Sequence, residues 1–114
     1  MPSSARKGAY WKGRTKKYLE KAGWQVGDLE VVRWIQPPGR DRMPVKRDQF
    51  GADLLCVNAE TIVFVQVKGG KQKNLAKARR AFEGYTFPPC SKQWLIFWKP
   101  RAHEPDVIDM SGRA

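Results

Sequence analysis

Histidine is almost missing from this chain, with His103 alone among 114 residues, and cysteine is represented only by Cys56 and Cys90. A single histidine and two distant cysteines do not make the Cys/His sets of a structural zinc site. They also leave Ser-His-Asp or Cys-His catalysis to rest on His103, which lies in a polar stretch where a solvated surface histidine is the simpler reading. Long apolar runs are absent as well. The longest, Trp94 to Trp98, is far too short to span a bilayer. The polar start Met-Pro-Ser-Ser-Ala-Arg-Lys lacks the apolar stretch of a secretory signal, and the end Met-Ser-Gly-Arg-Ala carries no lipidation motif. The expected setting is a reducing cytoplasm, without a membrane partner.

Acids are scarce relative to bases, 11 Asp and Glu against 22 Lys and Arg, for a formal net charge of +11. Such an excess concentrates the protein around polyanions and speeds encounter with them, so nucleic acid is the natural partner. At this length one domain is expected over residues 1–114, and 41% hydrophobic residues suffice for one modest core.

Hydrophobic spacing gives a coarse architecture. Trp11, Thr15, Tyr18, Leu19 and Ala22 form the stripe of an amphipathic helix over Ala9 to Ala22, stopped by Gly23. Residues 1–8 before it read as a flexible basic arm. Leu29 to Ile35 reads as a strand. The segment 36–50 holds Pro37, Pro38, Gly39 and Pro44 together with Arg40, Arg42, Lys46 and Arg47, which predicts a basic loop. Ala52 to Val57 and Thr61 to Lys68 make a hairpin around Asn58-Ala59-Glu60. A second amphipathic helix follows from Gln72 to Tyr85, then an aromatic strand from Gln93 to Lys99 and an edge strand at Asp106 to Met110. The order αβββαβ implies an α/β fold with a mixed sheet of four to five strands flanked by helices.

Fold alone does not give function, so the hairpin carries the argument. Alternation puts Ile62, Phe64, Gln66 and Lys68 on one face and Val63, Val65 and Val67 on the other. Asp53, at the start of the preceding antiparallel strand, meets the end of this one. A carboxylate, an amide oxygen, the Val67 carbonyl and a lysine are the parts that hold a hard divalent cation and ready a water for attack on phosphate. Asp53, Gln66 and Val67 are the candidate metal ligands, and Lys68 the residue that positions the water or stabilises the developing charge. Singly, a strand-start aspartate is commonly a cap and a strand-end lysine commonly solvated. Their combination on one apolar hairpin in a strongly basic chain favours the catalytic reading.

At these residues the chain resembles the PD-(D/E)xK nucleases, and among them the archaeal-type Holliday junction resolvases and their phage relatives. Lys7-Gly8 and the helix ending Leu19-Glu20-Lys21-Ala22-Gly23-Trp24 look like the family's opening helix. Gly51-Ala52-Asp53-Leu54-Leu55 looks like its acidic motif, and Val65-Gln66-Val67-Lys68 like its (D/E)xK strand, 13 residues on from Asp53 to Gln66. The resemblance implies a restriction-endonuclease-like core, Mg2+ with Mn2+ as a substitute, a homodimer, and branched or duplex DNA as substrate, cut by paired nicks in a four-way junction. If the chain is phage-encoded, the compartment is the host cytoplasm. Other branch-, flap- or duplex-cutting nucleases of the superfamily fit the same motifs, as does a basic DNA-binding protein without catalysis.

Two departures stand out. The motif acid is Gln66, which brings an oxygen but no negative charge. The glutamate that the family's opening helix usually carries falls at Lys12, and Glu20 is no substitute, since eight helical residues rise roughly 12 Å. Asp48 or Glu30 are the possible extra acids. The expected DNA contacts are Arg6, Lys7, Lys12 and Arg14 near the start, Arg40, Arg42, Lys46 and Arg47 in the basic loop, and Lys71 and Lys73 beyond the motif strand. Trp11, Phe64, Trp94 and Phe97 fit core faces, whereas Trp34 either stacks on an unpaired base or covers the sheet edge. The strand Gln93 to Trp98 is also a candidate dimer interface.

Overall fold

The computed structural model describes residues 4–29, 31–47 and 50–111, with side chains at all of these except 4–7, 31–33 and 46–47. The chain runs through helix α1 (Ser4–Lys21), strands β1 (Gln25–Asp28), β2 (Val31–Ile35), β3 (Met43–Arg47), β4 (Leu54–Val57) and β5 (Ile62–Gly69), helix α2 (Leu75–Glu83), and strands β6 (Ser91–Trp98) and β7 (Asp106–Asp109). Five strands form one mixed sheet in the order β1-β4-β5-β6-β7, while β2 and β3 pair only with each other. Antiparallel pairing joins β1 to β4, β4 to β5 and β6 to β7, and β5 and β6 run parallel across the α2 crossover. The fold is therefore α/β with a helix on each side of the sheet.

The two faces of β5 explain the two layers. Val63, Val65 and Val67 point to the α1 side, where they join Leu19, Leu54, Cys56, Ile96 and Trp98 in the larger core. The helix offers this core an apolar stripe with one polar member: the buried Thr15 hydroxyl donates to Trp11 O at 2.8 Å and accepts from Trp98 Nε1 at 2.8 Å. Trp98 thereby buries its ring without stranding its N–H. Close approach of α1 to the sheet needs Gly69, because a Cβ there would sit 2.3 Å from Trp11 Nε1. On the opposite face Ala78 of α2 packs with Leu95 and Phe97, and Ile108 and Met110 close the edge.

Several sequence expectations change here. Helix α1 begins at Ser4, inside the segment expected to be a flexible arm. Leu29 to Ile35 is not a strand of the main sheet; β1 holds that place, and β2 turns away to pair with β3. The expected loop over 36–50 contains β3, so its basic residues sit on and beside a hairpin. β6 is an interior strand, and Leu95, Ile96, Phe97 and Trp98 are all buried within one chain, which removes it as a dimer interface. No described helix is long and apolar enough to cross a membrane.

Candidate active site

Asp53 stands where β4 has just begun to pair. Leu54 is the register partner of Val65, yet the Asp53 N–H also donates to Val65 O, at 2.9 Å, so two consecutive residues face one. Such a bulge re-aims a side chain at the end of a ladder. The Asp53 carbonyl is fixed from the other side by Leu29 N–H at 2.9 Å. With its backbone held from both neighbours, Asp53 turns its carboxylate onto β5, where Oδ2 accepts from Val67 N–H at 2.8 Å. A carboxylate has thus replaced a backbone carbonyl in the ladder. Since the N–H and C=O of one strand residue point to the same neighbour, the Val67 carbonyl faces that edge too.

Gln66 lies next to this junction, on the α2 face, and is 3% exposed. Its Nε2 donates to Ala78 O of α2 at 3.0 Å, which turns Oε1 away from that carbonyl and leaves it as an acceptor. A glutamate would set a carboxylate oxygen against the Ala78 carbonyl, so this packing suits an amide. Lys68 shares the face but is exposed at the strand end, where it lines a cleft of about 220 Å3 with Gln72, Asn74, Lys77 and Phe97. The preceding acidic motif depends on Gly51, at φ 73°, whose absent Cβ would meet Ala81 O at 2.2 Å. The glycine lets the chain run beneath α2 before Asp53 emerges.

Lys12, where the sequence resemblance implies a helix glutamate, is half-buried, and its Nζ reaches Asp28 Oδ1 at 3.2 Å. Lys16 Nζ bonds the other oxygen of Asp28 at 2.7 Å. The Lys16 bond holds the Asp28 carboxyl below the usual carboxylate range; partial burial opposes this and Lys12 adds to it. Asp28 was missed in the sequence, although Lys12 and Lys16 one turn apart with an acid on the next strand was a usable signal. Asp48 and Glu30, the proposed extra acids, lie outside the described residues, and those residues contain no group of three His, Cys, Asp or Glu able to hold a metal. Burial pushes the Cys56 thiol up to about 12, which fits a core residue and not a nucleophile.

The expected DNA contacts divide. Arg40, Arg42 and Lys71 are exposed. Arg14 is tied into the fold, its guanidinium 4.2 Å from the Trp98 ring centroid and its Nη2 donating to Ala102 O at 3.0 Å. Lys73 bonds Asp106 at 2.8 Å. The Arg6, Lys7, Lys46 and Arg47 side chains lie outside the described residues. A second, wider groove of about 430 Å3, lined by Arg14, Lys17, Lys21, Trp98 and His103, runs along the α1 side.

No protein-family model matches the chain, and no curated protein does. Among solved structures, the chain is similar to Archaeoglobus fulgidus Hjc, a Holliday junction resolvase from an archaeal hyperthermophile, with a TM-score of 0.59 and 18% identity, covering 95% of this chain and 78% of that one. At that identity the likeness bears on fold: the mixed five-stranded sheet flanked by helices is of the restriction-endonuclease type seen in that neighbour.

Proposed function

We propose that this chain is a metal-dependent endonuclease acting on structured DNA, with the four-way junction as its first substrate. The observation that carries the reading is the placement of the Asp53 carboxylate on the Gln66-Val67 peptide, 2.8 Å from Val67 N, in a fold like that of a junction resolvase. The donors are hard oxygens, namely the Asp53 carboxylate, Gln66 Oε1 and the Val67 carbonyl, and with one negative charge they fit a weak Mg2+ site completed by phosphate oxygens and water. When bound, Mg2+ (or Mn2+) supplies Lewis-acid stabilisation of the phosphate and a more acidic water.

The chain's own residues do the rest. Asp53 and Gln66 are oriented before substrate arrives, one by Val67 N–H and the other by Ala78 O. Lys68 brings a cation to the same strand end, where it orients the attacking water or stabilises charge on the phosphorane. Exposed Arg40, Arg42 and Lys71 take backbone phosphates. A homodimer presenting two such sites would nick opposing strands of a junction.

One observation favours a second reading, DNA binding without catalysis: lysine stands in the helix glutamate's place and is ion-paired to Asp28. The two readings part on a panel of labelled four-way junction, flap, duplex and single strand, each with Mg2+ and with chelator. Paired nicks confined to the junction and lost with chelator are expected. Tight binding with no cut under Mg2+ or Mn2+ would leave only the binding protein.

A further inference from the structure

The β2–β3 ribbon belongs to neither layer of the fold. Its strands pair with each other over Val31↔Arg47 to Ile35↔Met43 and with no strand of the main sheet. A free ribbon would ordinarily be polar. This one instead exposes Trp34 by 60%, Ile35 by 43% and Met43 by 41%. Trp34 has Pro44 as its cross-strand partner and the Arg42 guanidinium 6.0 Å from its ring centroid. The connecting turn is Pro37-Pro38-Gly39-Arg40, closed by Arg40 N–H to Pro37 O at 3.1 Å. The segment from Arg40 to Arg47 carries Arg40, Arg42, Lys46 and Arg47 against Asp41 alone.

An exposed tryptophan flanked by arginines offers a flat ring for stacking and cations for the adjoining phosphates, and a two-stranded ribbon is narrow enough to enter a DNA major groove. A fully stacked duplex has no free base face to give the ring; a branch point does. We infer that the ribbon is the branch-reading element, in which Trp34 stacks on a base exposed at a strand discontinuity while Arg40 and Arg42 hold the flanking phosphates. The excess of positive charge on the segment makes nucleic acid, and not a second copy of this equally basic chain, the occupant.

This inference rests on the DNA reading above, and its test separates the two. Asp53→Ala protein, which is expected not to cut, is titrated into a four-way junction with 2-aminopurine at the crossover and into a matched duplex, with Trp34 intact, as Trp34→Ala and as Trp34→Phe. The ribbon proposal expects roughly a ten-fold loss of junction affinity in Trp34→Ala, duplex affinity held within about two-fold, near-full rescue by phenylalanine, and a 2-aminopurine change that disappears with the ring. Equal affinities of Trp34→Ala and the Trp34 protein for the junction, or equal losses on junction and duplex, overturn the ribbon proposal and leave the nuclease reading intact. A shift from dimer to monomer in Trp34→Ala, seen by sedimentation with the 2-aminopurine signal unchanged, also overturns it and assigns the face to self-association. Failure of the Trp34 protein to bind any DNA overturns both.

Discussion

The sheet and the ribbon are built from similar residues under opposite rules. In β4, β5 and β6 the apolar interior is covered, from Leu54, Cys56, Val63 and Val65 at 0% exposed to Trp98 at 2%, even the polar Gln66 is buried and hydrogen-bonded, and Ile62, Lys68 and Lys92 near the strand ends are the exposed side chains. In the ribbon Trp34, Ile35 and Met43 stay open to solvent. Burial on the first scale holds a fold together. Large apolar exposure on an isolated ribbon contributes little to stability and points to a binding role. The candidate site is thus anchored in a tightly packed part of the chain, whereas the ribbon leaves large apolar side chains open to solvent.

The contrast can be broken at several points. Leu54→Ala, in the core behind Asp53, is expected to cost about 2–5 kcal/mol in urea unfolding; a loss below about 1 kcal/mol would mean the sheet is less tightly packed than its burial implies. Gln66→Glu, which sets a carboxylate against Ala78 O, is expected to cost about 1–3 kcal/mol without metal. Added Mg2+ should return part of that in the thermal midpoint, and a variant as stable as the parent in chelator would contradict the amide-specific packing. Asp28→Asn removes a pair that is 46% exposed on the acid side, so the loss should stay under about 1 kcal/mol. Because the folded Asp28 carboxyl is depressed below its ordinary 3.8, its contribution is complete above that value and disappears as pH falls through the folded one. The gap between parent and Asp28→Asn should therefore close on acidification, and a gap that widened would refute the pairing. Trp34→Ala should leave stability within about 0.5 kcal/mol, as for an uncoupled surface position; a core-sized loss would show that the ribbon is packed and not poised.

The same contrast explains what could be read from the sequence. Helix α1, the β4–β5 hairpin, α2 and β6 were legible because each buries apolar residues at a regular spacing, and β7 was read as an edge strand although only Asp106 and Ile108 are partly covered. β1 was not: Gln25-Val26-Gly27-Asp28 has only Val26 partly covered, so no alternation marks it. β3 was hidden by Pro44 and by basic residues that read as loop chemistry, since its pairing with β2 is decided by register and not by a core. At the site, alternation correctly put Gln66 and Lys68 on one face. It did not reveal that Gln66 is pinned under α2 while Lys68 stays open, because that depends on a crossover helix packed from a distance. Asp28 was overlooked for a related reason, as its partners Lys12 and Lys16 come from another element.

Whether Asp53 and Lys68 form a working hydrolytic center is decided by single-turnover cleavage of a labelled four-way junction in Mg2+. Asp53→Ala and Lys68→Ala should each slow cleavage by about 10²–10⁴-fold while junction affinity in chelator is nearly unchanged. Cleavage by both variants at the parent rate would place the chemistry elsewhere and contradict the account.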